Sequence, residues 1–233
     1  MAGRLYGVGV GPGDPDLLTL KAIGCLEAAD VIAYPVKTPG EKGTALDIVR
    51  QRTDLSRKET VELVFGMNSE TKARVCDYGN AAAKLSSILD GGKNVAVITL
   101  GDVSIYSTYM RLNAEMEARG YETTIIPGVP SFCSGAAEAR MPLTIGEEGL
   151  AVVSMNGEPK EIRAAMDSFD NIVLMKAGRH MDLAVRLLDD AGLKKAATVI
   201  SNIGMEGQYV GPIEEGRQYG YFTTVIVKKG RAD

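Results

Sequence analysis

Short runs of β-branched residues alternate with amphipathic stretches along this chain, and glycine-rich turns separate them; few folds satisfy that pattern. The apolar or period-two runs predict strands at Arg4–Val10, Val31–Tyr34, Asn94–Leu100 and Glu122–Ile126. Further strands are predicted at Gly149–Ser154, Asn171–Met175, Ala197–Asn202 and Tyr221–Lys228. Helical spacing predicts helices over Asp16–Ala29 (with Asp14 or Asp16 as N-cap), Thr44–Gln51, Thr71–Leu89 and Ser107–Arg119. In the second half it predicts Ser131–Ala139, Pro159–Ser168 and His180–Ala191. Such alternation implies an α/β architecture. At about 150 residues per domain, 233 residues make one large domain or two small ones. The break near Gly120–Pro127 divides the chain into two α/β halves, residues 1–122 and 123–233.

Composition narrows the function. Apolar residues make up 45% and charged residues 24%, the profile of a globular protein with a sizeable core. No apolar run approaches the roughly 20 residues that span a bilayer, and the first ten residues lack a signal-peptide core. A net charge of −4 argues against a broad basic face for nucleic acid, while a local basic cluster still suffices to steer a small anion. Cys25, Cys76 and Cys133 stand far apart, which points to reduced thiols and a cytoplasmic address. With His180 as the only histidine, a protein-held metal is not expected.

Four loops follow predicted strands, where open α/β sheets place ligands. The first is Gly7-Val8-Gly9-Val10-Gly11-Pro12-Gly13-Asp14-Pro15. It is not a dinucleotide fingerprint: counted from Gly7 the third glycine position falls on Pro12, and from Gly9 on Asp14. What survives is mechanical, since glycines let backbone approach a ligand closely and Pro12 stiffens the turn. The second loop, Leu100-Gly101-Asp102-Val103-Ser104-Ile105-Tyr106, carries the most interesting carboxylate; a turn or helix cap is the plainer role for Asp102. The third, Pro127-Gly128-Val129-Pro130-Ser131-Phe132, offers Ser131 as a helix cap and lacks the glycines of a hydrolase nucleophile elbow. The fourth, Met175-Lys176-Ala177-Gly178-Arg179-His180, carries two cations, to be paired or solvated, and an exposed His180 in the first turn of a helix.

Together and in this order, GVGVGPGDPDLLTLKA, LGDVSIYSTY and IPGVPSF resemble the successive signatures of the tetrapyrrole (corrin/porphyrin) methyltransferases. That family uses S-adenosylmethionine to methylate ring carbons on the route to sirohaem and cobalamin. The resemblance runs over essentially the whole chain. The segments YPVKTPGEKGTALDIV, LVFGMNSE, GDVSIYSTY, VLMKAGR and YFTTVIVKK are similar to one branch, which methylates C-20 of precorrin-2 or cobalt-factor II. Two departures stand out. Val103 occupies the proline position of the family's Gly-Asp-Pro, and Met155-Asn156 stands where the branch usually has Pro-Ala.

The resemblance implies two α/β domains with the active site in the cleft between them, distinct from the Rossmann-like methyltransferase fold, and usually a homodimer. It implies cofactor contacts from Pro12, Leu100, Gly101, Asp102, Val103, Ile105, Ser131, Phe132, Met175, Ile203, Gly204 and Thr224. The cofactor would be S-adenosyl-L-methionine, leaving S-adenosyl-L-homocysteine. Asp102 and Tyr106 are the candidates for a general base, and Arg111, Lys176 and Arg179 for the eight substrate carboxylates. Any cobalt would arrive inside the tetrapyrrole, with no partner nucleic acid or membrane. Competing readings are methylation of another ring carbon, the diphthine-type methyltransferase of the same fold, and a non-catalytic cofactor-binding module.

Overall fold

The computed structural model describes residues 2–66 and 71–230. The chain forms two compact units, Met1–Pro130 and Ser131–Asp233. Met67 to Glu70 of the LVFGMNSE segment lie outside the described residues.

The first unit holds a five-stranded parallel sheet of β1 (Leu5–Gly9), β2 (Val31–Val36), β3 (Glu59–Val64), β4 (Val95–Thr99) and β5 (Thr123–Ile126), in the order β3-β2-β4-β1-β5. A parallel sheet has to be covered on both faces, and its central strands are accordingly mostly apolar. All five residues of β4 are buried. On one face Val8, Val10, Ile32 and Ile98 pack with α1 (Leu20–Ala28) and α2 (Thr44–Arg50) through Ala22, Leu26, Leu46 and Val49. On the other, Leu5, Val95 and Val97 pack with α3 (Thr71–Asp90) and α4 (Tyr109–Ala118) through Leu85, Leu89, Leu112 and Met116. Gly7 makes room on that second face: a Cβ there would sit 2.0 Å from a ring carbon of Tyr109.

The second unit has the mixed sheet β6-β7-β10-β8-β9, built from β6 (Leu150–Ser154), β7 (Asn171–Met175), β8 (Ala197–Ser201), β9 (Tyr209–Gly211) and β10 (Thr223–Lys228). β6 and β7 run parallel, and β10 is antiparallel to both β7 and β8. Helices α6 (Pro159–Ser168) and α7 (Met181–Asp190) supply Ile162, Met166, Ala184 and Leu188 to the core over Ile172, Leu174, Val199 and Val225. α5 (Ser131–Glu138) brings Gly135 against Ile200, which alternation places on the opposite face from Val199.

Four expectations are corrected. The segment 123–126, expected to open the second half, is the edge strand of the first sheet, with Leu5 opposite Thr123. The first unit therefore extends to Pro130, past the expected division after residue 122. Helix α1 begins at Leu20 behind Thr19, whose hydroxyl accepts from the Ala22 amide at 3.1 Å; Asp14 caps a separate 3-10 turn, Pro15–Leu17. Strands β3 and β9 were absent from the expected set.

Candidate active site

The topology of the first sheet crosses two loops. β1 continues to β2 on one side, whereas its neighbour β4 continues to β5 on the other. Their exit loops therefore pass each other at the C-terminal edge of the sheet, the position where open α/β sheets bind ligands. They pass in backbone contact: Gly11 and Gly101 form an antiparallel bridge, with Gly101 N donating to Gly11 O at 2.7 Å and Gly11 N to Gly101 O at 3.2 Å. Both have positive φ, 77° and 74°, a conformation that costs glycine little. The loop after β5 closes on the same crossing. A Cβ on Gly128 would lie 2.2 Å from Gly101 O, and one on Gly9 would lie 2.6 Å from Gly128 N. At these glycines the three turns meet backbone to backbone.

Asp102 fixes the arrangement. Its Oδ2 accepts from the Gly128 amide at 2.8 Å, and its Oδ1 accepts from the Ser104 amide at 2.8 Å and from the Ser104 hydroxyl. Burial works against its charged form, but the Ser104 hydroxyl and the amides of Gly128, Ser104 and Val103 outweigh it and hold the carboxyl below its usual range. Asp102 thus staples the loop after β4 to the loop after β5 as an ionised acceptor. A carboxylate held this way is a weak base. Tyr106, the other candidate base, is 45% exposed and sits at φ 48°, a left-handed conformation uncommon for an aromatic residue. Arg111, in the first turn of α4, lies over the Tyr78 ring at 5.4 Å from its centroid.

Of the expected cofactor contacts in this unit, Pro12, Gly101, Asp102 and Val103 are buried, and Leu100 and Ile105 are half-buried. The structure brings the loops of Pro12 and Gly101 to one place through the glycine bridge. A Cβ on Gly101 would find only Val129 O, 3.9 Å away, so the ground beside this residue is open to an incoming group.

The second unit gathers its candidates at one end of its sheet. Met175 ends β7, and Thr224 lies opposite it in register near the start of antiparallel β10, its hydroxyl 3.7 Å from the Met175 sulfur. Ile203 and Gly204 follow β8, the next strand over. Ile203, Phe132 and Thr224 are buried, Ser131 and Met175 half-buried, and Gly204 exposed. Ser131 is the first residue of α5. Lys176 (φ 60°) precedes the tight turn Ala177–Arg179 at the same end, and Arg179 closes that turn. His180 precedes α7, and its Nε2 lies 2.9 Å from Asn156 Oδ1.

The family model for Tetrapyrrole (Corrin/Porphyrin) Methylases matches residues 4–215. The chain belongs to this family. It is 33% identical to the cobalt-precorrin-2 C(20)-methyltransferase of Salmonella typhimurium, over 98% of each chain. It is 31% identical to the precorrin-2 C(20)-methyltransferase of a Sinorhizobium species, over 97% of this chain and 95% of that one. Among solved structures, the uroporphyrin-III C-methyltransferase of Thermus thermophilus shares the fold, with a TM-score of 0.72 and 22% identity over 97% of this chain and 94% of that one.

Both departures of this tetrapyrrole methylase from its family's pattern have a local account. Val103 is fully buried in the core beneath α4, so packing restrains it, and its amide joins the donors around Asp102, a contact that proline lacks. Met155 is 1% exposed in the second core, and its amide donates to Met175 O at 2.9 Å. Asn156 holds His180, tying the turn after β6 to the start of α7. Sequence reasoning missed Ser104 and Gly128 as the partners of Asp102. The signal was present: a serine two residues after an aspartate in a turn completes a side-chain cap, and Gly128 follows a strand end beside it.

Proposed function

We propose that this chain transfers a methyl group from S-adenosylmethionine to C-20 of precorrin-2 or cobalt-factor II in cobalamin biosynthesis. The observation that carries the reading is the match to the Salmonella typhimurium enzyme over 98% of both chains, which leaves no large segment unaccounted for. S-adenosylmethionine supplies a methyl carbon already made electrophilic by its sulfonium. The residues present suit such a ligand: glycine turns with open ground beside Gly101, and apolar Met175 and Ile203 with the Thr224 hydroxyl.

What remains for the protein is to hold two reactants in line and exclude water, which contributes on the order of 7–11 kcal/mol in well-oriented systems. Asp102 contributes through the loop it staples. Pro12, Leu100–Val103 and Ile105 contact the methyl donor, with Ser131, Phe132, Met175, Ile203, Gly204 and Thr224. The C-20 bridging carbon, in an electron-rich macrocycle, is nucleophilic enough to attack directly and then lose its proton. With Asp102 engaged by the loop amides, Tyr106 is the remaining candidate base. Arg111, Lys176 and Arg179 meet the substrate carboxylates. The protein acts in the cytoplasm as a homodimer.

The test is mass spectrometry of precorrin-2 and cobalt-factor II after anaerobic incubation with S-adenosylmethionine. One added methyl on either substrate supports the reading and selects the branch. No gain on both, from protein that binds S-adenosylhomocysteine, overturns it.

A further inference from the structure

β8 and β9 pair antiparallel with Ser201 opposite Tyr209, so residues 202–208 form the loop that joins them. Asn202, Gly204 and Gly207 all have left-handed φ, 50°, 71° and 74°. Glycines give such a loop many alternative conformations, and its shape depends on the bonds that tie it. Backbone bonds close two of its turns: the Met205 amide donates to Asn202 O at 2.9 Å, and the Gln208 amide to Met205 O at 3.2 Å. A side chain fixes the turn between them. Oε1 of Gln208, the last residue of the loop, accepts from the Gly204 amide at 2.7 Å.

The same side chain reaches out of the loop. Its Nε2 donates to Glu138 Oε1 at 3.3 Å, and Glu138 is the last residue of α5. One turn earlier that helix is seated on β8: a Cβ on Gly135 would lie 2.4 Å from Ile200 Cδ1. One turn before Gly135 is the buried Phe132. Gln208 thus joins the turn of Ile203 and Gly204 to the helix of Ser131 and Phe132, the segments assigned above to the methyl donor. The position calls for an amide. The Gly204 N–H needs an acceptor and the Glu138 carboxylate a donor, and glutamine carries both on one planar group.

We propose that Gln208 is a positioning residue for the methyl donor: it holds the turn of Ile203 and Gly204 against α5 in the shape that receives the cofactor. A loop ordered in advance loses less conformational freedom on binding. This inference rests on the function proposed above. The experiment is calorimetric titration of S-adenosylhomocysteine into wild type, Q208A, Q208E and Q208E/E138Q, with steady-state kinetics on whichever tetrapyrrole wild type methylates. Q208A removes both bonds and is expected to weaken S-adenosylhomocysteine about fivefold and to raise the KM for S-adenosylmethionine equally. Its kcat and its KM for the tetrapyrrole should stay within about twofold of wild type. Q208E keeps the acceptor for Gly204 but sets a carboxylate against Glu138, and it should bind S-adenosylhomocysteine more weakly than wild type. Q208E/E138Q exchanges the two groups, restores both bonds and should return the affinity to within about twofold of wild type. A Q208A protein that binds S-adenosylhomocysteine as wild type does overturns the inference alone. So does a Q208A protein whose kcat and tetrapyrrole KM change as much as its cofactor affinity, or a double variant that binds no better than Q208E. A wild type that binds no S-adenosylhomocysteine overturns the reading beneath it.

Discussion

At Asp102 both carboxylate oxygens accept hydrogen bonds within the loops, from Ser104 on one side and from Gly128 on the other. Asparagine at this position keeps one acceptor oxygen and turns an amide donor toward one of those N–H groups. Hydrogen bonds to a charged group contribute about 1.5–3 kcal/mol each, so the crossing of the loops should loosen. D102N is therefore expected to raise the KM for S-adenosylmethionine about tenfold and to leave kcat within about tenfold of wild type. Loss of a general base would instead lower kcat by about 10²–10⁴-fold, and a drop of that size in saturating kinetics would restore the base role. The importance of Asp102 was legible from a carboxylate after a buried strand. Which of its possible roles it fills was not, because the deciding partner, Gly128, is 26 residues away in sequence.

Among the elements, the strands and helices with clear periodicity are legible in the sequence, and the exceptions have physical causes. β3 reads Glu-Thr-Val-Glu-Leu-Val, an alternation that buries only Val61 and Leu63. It lies at the edge of its sheet, where charge is favoured because it blocks further pairing; Glu59 there pairs with Lys93 at 2.8 Å. β5 is legible as a strand but not as a member of the first sheet, since sheet membership depends on register with Leu5, 118 residues earlier. A buried polar tie in the second unit gives a prediction at this scale. Glu148, ahead of β6, accepts from Lys228 on β10 at 2.6 Å and from Asn171 on β7 at 3.0 Å. The Lys228 and Asn171 bonds and the Ile145 amide bring its carboxyl down from 4.5 to about 2. A depressed folded value means the stabilisation is complete above pH 4.5 and is lost as pH falls toward 2. Acid titration of stability by circular dichroism should show that decline, and E148Q should flatten it; an unchanged slope in E148Q would remove the tie from the account.

On the scale of the whole molecule, family and fold were legible from motif order, because GVGVGPGDP, LGDVSIYSTY and IPGVPSF each end a strand at one sheet edge. What they do at that edge was legible only in part. The glycine pattern failed the dinucleotide fingerprint, and the structure shows the other requirement it meets: two loops leave neighbouring strands in opposite directions and must cross in backbone contact. Among the described residues no group of three or more His, Cys, Asp and Glu side chains is arranged to hold a metal ion. Among them, too, no helix is long and apolar enough to cross a membrane. The central claim is the position of the transferred methyl, and ring-carbon assignment tests it most directly. Incubation with S-adenosylmethionine carrying a ¹³C-labelled methyl, followed by NMR of the isolated tetrapyrrole, should place a single label on C-20. A label on any other ring carbon would contradict the account while leaving the family unchanged.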